Sequence, residues 1–105
     1  MAKGVLIVEA HPASPEQAAD FHSWYEDTHM KEMVALDGVV SAQRFAPLQG
    51  DGPFVAVYQI EGDDLDALAD RLTAITRSSE LTPPVGIQLS PPPAVRYLRL
   101  VAETA

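Results

Sequence analysis

Residues 54–61 read Phe54-Val55-Ala56-Val57-Tyr58-Gln59-Ile60-Glu61, and the fold turns on this stretch. Its β-branched and aromatic residues favour a strand, whose side chains alternate between two faces. Phe54, Ala56, Tyr58 and Ile60 fall on one face, Val55 and Val57 on the other. Both faces offer apolar groups, as expected of a strand inside a sheet that is covered above and below.

On its N-terminal side lies Gln49-Gly50-Asp51-Gly52-Pro53, a turn rich in residues that tolerate positive φ. Val39 to Leu48 precedes it as a more polar strand carrying Ser41, Gln43 and Arg44. The two strands therefore form a hairpin. Further upstream, the apolar run at residues 4–11, closed by Pro12, is another buried strand. A helix is expected between these elements. Ser14 offers an N-cap, Pro15 suits the first helical position, and Gln17 has capping-box spacing. Ala18, Phe21, Tyr25, Met33 and Leu36 give this helix its inner stripe, with His29 in the gap, and Asp37-Gly38 ends it.

Downstream of residue 61, Gly62-Asp63-Asp64 starts a second helix with an aspartate cap. Leu65, Leu68, Leu72 and Ile75 are its buried stripe, with Arg71 and Arg77 toward its C-terminus. Residues 79–93 hold five of the nine prolines and form a long loop. Ala94 to Val101 is the last strand.

The order is βαββαβ, an α+β chain of ferredoxin-like topology with an antiparallel four-stranded sheet. Right-handed crossovers place the first and third strands in the centre and the second and fourth at the edges. Arg44, Arg96 and Arg99 then protect the edges. Two helices cover only one sheet face. The other needs a second copy packed sheet to sheet, which makes a homodimer, or the 79–93 loop folded across it.

A chain of 105 residues has room for one domain. Its 15 acidic and 7 basic side chains give a net charge of −8, and no Lys/Arg cluster is present, which argues against nucleic acid and anionic membranes as partners. The absence of cysteine rules out disulfides, thiolate metal sites and a cysteine nucleophile. The N-terminal apolar run is too short for a signal or a membrane span, so a cytoplasmic location is expected. No phosphate-cradling glycine loop and no nucleophile elbow occurs, so no nucleotide or flavin cofactor is expected.

Chemistry-bearing residues concentrate at 21–32, Phe21-His22-Ser23-Trp24-Tyr25-Glu26-Asp27-Thr28-His29-Met30-Lys31-Glu32. On a regular helix His22, Tyr25, His29 and Glu32 share one side, and His22 and His29 stand about 10 Å apart along the axis, too far to share one metal ion. His29 and Glu32 lack a third ligand. His29 is the candidate acid/base group. Tyr25 can polarise a carbonyl, and Glu32 can fix the imidazole tautomer. The alternative is that His29 is structural and the aromatics only pack. His22 reads as more exposed and His11 as a loop residue. Arg44, Tyr58, Gln59 and Tyr97 lie on strands, where any of them can line a cleft.

The string Phe21-x-x-Trp24-Tyr25-x-x-x-His29-x-x-Glu32, followed by Leu36-x-Gly38-Val39-Val40-Ser41-Ala42-x-Arg44-Phe45, resembles bacterial dimeric α+β-barrel proteins of the EthD-like kind. The resemblance implies a homodimeric barrel with a cleft for an aromatic or lactone substrate and His/Tyr groups that move protons. The wider superfamily includes cofactor-free monooxygenases, polyketide cyclases and muconolactone isomerases. His29 and Tyr25 are thereby the candidate catalytic residues. Trp24, His22, Glu32, Arg44, Tyr58 and Tyr97 are candidate contacts to a small hydrophobic molecule. The first function expected is a cofactor-independent enzyme acting on an aromatic, enone or polyketide-like substrate. The second is a non-catalytic module that binds a small hydrophobic metabolite. A third is haem or metal handling.

Overall fold

The computed structural model describes all 105 residues. Strands β1 (Ala2–Ala10), β2 (Val39–Phe45), β3 (Phe54–Gly62) and β4 (Ala94–Arg99) form one antiparallel sheet in the order β2-β3-β1-β4. The central and edge positions are those expected from the chain order, and the layout is consistent with a ferredoxin-like fold. No helix is long and apolar enough to cross a membrane.

The register assigns every strand residue to a face. Arg44, Ala56, Val8 and Val95 form one row across the sheet, and Ala42, Tyr58, Leu6 and Tyr97 form the next. These rows face the helices and meet Phe21, Trp24, Tyr25, Met33, Leu65, Leu68 and Leu72 in the buried core. The opposite face carries the rows Gln43-Val57-Ile7-Arg96 and Ser41-Gln59-Val5-Leu98. On that side Phe45 and Leu98 are exposed, and Val5, Ile7, Val55 and Val57 are half-buried. The register shift between Val39 and Ser41 gives β2 one extra residue, Val40, which is also exposed.

The second helix, Leu65–Arg77, is regular. The Asp64 side chain accepts a hydrogen bond from the Ala67 N–H at 3.0 Å, an N-cap that satisfies one of the free donors of the first turn. The first helical segment, residues 15–34, is composite. A 3₁₀ turn at Pro15–Gln17 leads into an α-helical stretch, Ala18–Ser23. A π-helical stretch, Trp24–His29, follows, and then an α-helical end, Met30–Val34. The expected capping box does not form. Ser14 Oγ donates to the Gln17 side-chain oxygen at 3.2 Å and caps no backbone group. Gly38 ends the segment at φ +93°, a conformation that favours glycine, and a Cβ there would press on the tip of the Leu68 side chain at 2.7 Å.

The 79–93 loop lies on the helix side of the sheet. Ile87 bridges to Pro12, and Ala13 N–H and Gln88 N–H donate to Gly86 and His11 carbonyls at 2.7 and 2.9 Å. The loop therefore does not cover the opposite sheet face. Arg44 departs from expectation as well. Its position in β2 turns it toward the helices, where its side chain is only 8% exposed, so it is no edge-protecting charge.

Candidate functional site

The π-helical turn creates the site. On a regular α-helix two residues five apart point about 140° away from each other. The wider turn, closed by the Met30 N–H to the Tyr25 carbonyl, instead stacks Trp24 on His29, with ring centroids 4.3 Å apart and planes at 17°. It also lets the adjacent Trp24 and Tyr25 both be buried and carries the stripe on through Met30 to Met33. The break in the sequence periodicity at His29 was the visible trace of this turn.

Beneath these rings is an apolar cavity of about 230 Å³. Leu6, Val8 and Tyr58 form its floor on the sheet, Trp24, Tyr25, His29 and Met33 line it from the helix, and Pro84, Ile87, Leu89 and Pro93 line it from the loop. Tyr97, whose hydroxyl lies 3.2 Å from Thr73 Oγ1, completes the wall. An engineered apolar cavity of about 150 Å³ holds benzene, so this one suits a ligand of one or two rings. A second hollow of about 280 Å³ adjoins it, sharing Trp24, His29, Thr76 and Pro84 and reaching Ser78 and Ser79. Two wider hollows of about 610 Å³ each occur elsewhere, one of them on the uncovered sheet face, and neither is lined by a histidine or a tyrosine.

Two residues that line the cavity each have a buried polar atom without a hydrogen-bond partner, His29 Nδ1 and the Tyr58 hydroxyl. The His29 ring stands edge-on to Tyr25 at 5.5 Å and to Tyr58 at 6.3 Å. Burial lowers the His29 pKa to about 4, against a smaller opposing pull from Glu32. Burial raises both phenols, Tyr58 the more strongly, while Arg44 pulls both back down. At neutral pH the imidazole and both phenols are therefore uncharged. They can accept a proton, donate a hydrogen bond to a carbonyl or hold a phenol without bringing charge into the apolar space.

The remaining candidates lie apart from this cavity. Glu32 does not set the His29 tautomer. Its carboxylate accepts from the Thr82 N–H at 3.1 and 3.2 Å and from Thr82 Oγ1 at 3.0 Å. Trp24 Nε1 donates to the Thr82 carbonyl at 3.3 Å, so one loop residue is tied twice to the first helical segment. His22 and Arg44 line a separate shallow hollow with Glu26 and Phe54. There Arg44 Nη1 lies 3.1 Å from His22 Nδ1 and 3.0 Å from Glu26 Oε2. No group of three or more His, Asp or Glu side chains is arranged to hold a metal ion. Sequence reading did not find the Pro84, Ile87 and Leu89 contacts, because a proline-rich loop shows no periodicity that says where it packs. No family model, curated protein or solved structure matches the chain.

Proposed function

We propose that this chain is a cytoplasmic, homodimeric α+β-barrel protein of EthD-like type that binds a small aromatic or enone-like molecule and moves a proton on it without a cofactor. The observation that carries this reading is the apolar cavity lined by His29 and Tyr58, each of which has a buried polar atom without a partner, Nδ1 and the hydroxyl. An unsatisfied buried polar group costs about 1–3 kcal/mol, and a ligand with one oxygen removes that cost. The Tyr58 hydroxyl, or Tyr25 beside it, polarises the ligand oxygen, and His29 accepts the proton from the neighbouring carbon or hydroxyl. Negative charge growing on the ligand raises the basicity of the imidazole as the proton leaves. Dimerisation rests on the uncovered face, where Phe45, Val40 and Leu98 are exposed beside the valines and isoleucine of β1 and β3.

The depressed His29 pKa favours a second reading, a binding module without catalysis, because a base this weak removes protons from carbon poorly. The two readings separate on 2-tetralone, a bicyclic ketone with exchangeable α-hydrogens. An enzyme accelerates its deuterium exchange above the buffer rate, and His29→Gln removes on the order of 10²-fold or more of that acceleration. Binding without accelerated exchange establishes the module. Failure of tetralone and similar bicyclic ketones and phenols to bind defeats both. A monomer in sedimentation at tens of micromolar overturns the dimer.

A further inference from the structure

The Arg44 side chain packs among core aromatics, and the cavity reading leaves it without a role. Its guanidinium carbon lies 4.4 Å from the Tyr25 ring centroid, 5.0 Å from Phe21 and 5.3 Å from Phe54. The side chain is 8% exposed, and Nη2 is buried with no partner. Its single countercharge, Glu26, is 60% exposed and so is screened by water. His22, at 3.1 Å, is the other titratable group against it. A buried guanidinium with an exposed partner leaves an uncompensated positive field on its inner side, where the Tyr25 ring separates it from the cavity.

We propose that Arg44 is a positioning residue whose field, acting through Tyr25, makes the cavity select ligands that carry or develop an oxyanion, that is, phenols and enolisable ketones held as phenolate or enolate. This deepens the cavity reading and rests on it. The groups on which that field acts are Tyr25 on the first helical segment and Tyr58 on β3, both uncharged at neutral pH, while the charge that reaches His29, on the far side of the Tyr25 ring, is that of Glu32. An apolar pocket alone raises the pKa of a bound phenol, and a nearby cation lowers it. The sign of the effect therefore isolates Arg44.

The test titrates 2-naphthol bound to the full chain, reading the naphtholate absorbance. Bound naphthol is expected to ionise about one pH unit lower in the wild type than in Arg44→Met. Arg44→Lys, which keeps the charge, should recover most of that difference, as packing alone cannot. Glu26→Gln, at an exposed position, should lower the bound pKa further by removing the countercharge, and it keeps the test available if Arg44→Met fails to fold. Naphthol that binds and ionises at the same pH in wild type and Arg44→Met, or a rise in Glu26→Gln, overturns the role of Arg44 and leaves the cavity reading intact. Naphthol that does not bind at all overturns both.

Discussion

The two helical segments meet the same requirement, an apolar stripe laid on one face of a sheet, by different means. The second helix is regular from Leu65 to Arg77, has an aspartate cap, and buries Leu65, Leu68 and Leu72 at helical spacing. The first changes pitch three times within residues 15–34, buries two adjacent aromatics, and leaves His29 Nδ1 unpaired among them. The regular helix serves chiefly to pack, and of its residues Thr76 alone reaches the cavity. The irregular segment forgoes that regularity and gains a cavity with polar atoms in it, in keeping with the frequent placement of π-helical turns at functional sites. The contrast can be broken by experiment at both ends.

The largest effect is expected in the regular helix. Leu72 is fully enclosed, and Leu72→Ala should cost about 2–5 kcal/mol in urea denaturation. The comparison also requires 2-naphthol affinity to be unchanged in the folded fraction, because Leu72 does not line the cavity. A stability loss accompanied by an equal loss of binding shows that the packing of the regular helix also sets the shape of the site.

The next largest effect belongs to His29. Its pKa is about 4 in the folded chain and near 6.5 in the unfolded one. The unfolded state therefore binds more protons between these values. The stability attached to this group is fully present above pH 6.5 and is lost as pH falls toward 4, by roughly 3 kcal/mol. Denaturation of wild type and His29→Gln at several pH values between 7 and 4.5 measures this as a difference in slope. Parallel pH profiles contradict the burial of a neutral imidazole.

The same contrast governs what the sequence disclosed. Strand order and the two helical segments follow from alternation, spacing and the Asp64 cap, which are local patterns, whereas alternation alone could not say which of Arg44, Tyr58, Gln59 and Tyr97 lines a cleft. The pitch change at Trp24–His29 was legible only as the gap at His29, since burying both Trp24 and Tyr25 depends on the sheet they meet. Two partners were misplaced for a related reason. Glu32 is one turn from His29 and was paired with it by proximity along the helix, yet Thr82, fifty residues away, supplies its hydrogen bonds. Arg44 looked like an edge charge because strand position is local, whereas its burial among Phe21, Tyr25 and Phe54 is a tertiary event.

A third prediction sharpens the contrast with a change of sign. Tyr58 is fully buried with an unpartnered hydroxyl, so Tyr58→Phe removes an unsatisfied group and should stabilise the free protein by about 1–2 kcal/mol. The same substitution should weaken binding of 2-tetralone about tenfold, having removed a donor to its oxygen. Thermal melts with and without tetralone test both halves. A destabilised Tyr58→Phe shows that the hydroxyl is already satisfied in the free protein.

The smallest effect separates the two N-termini. Asp64 caps the second helix through the Ala67 N–H, and Asp64→Ala should cost about 1 kcal/mol. Ser14 occupies the corresponding place before Pro15 in the first segment, yet its hydroxyl bonds only the exposed Gln17 side chain. Ser14→Ala should therefore cost no more than a few tenths of a kcal/mol, within the usual range of a surface change. What holds the start of this segment is tertiary: the Gly86 carbonyl receives the Ala13 N–H at 2.7 Å, and Gly86 itself, at φ +71°, packs so closely on Gln17 that a Cβ there would meet its carbonyl oxygen at 2.8 Å. Equal losses for Asp64→Ala and Ser14→Ala in denaturant titrations would mean that Ser14 does cap the first segment. Its start would then be set by local sequence, as the second helix's is, and the contrast between them would be confined to the turn that carries Trp24 and His29.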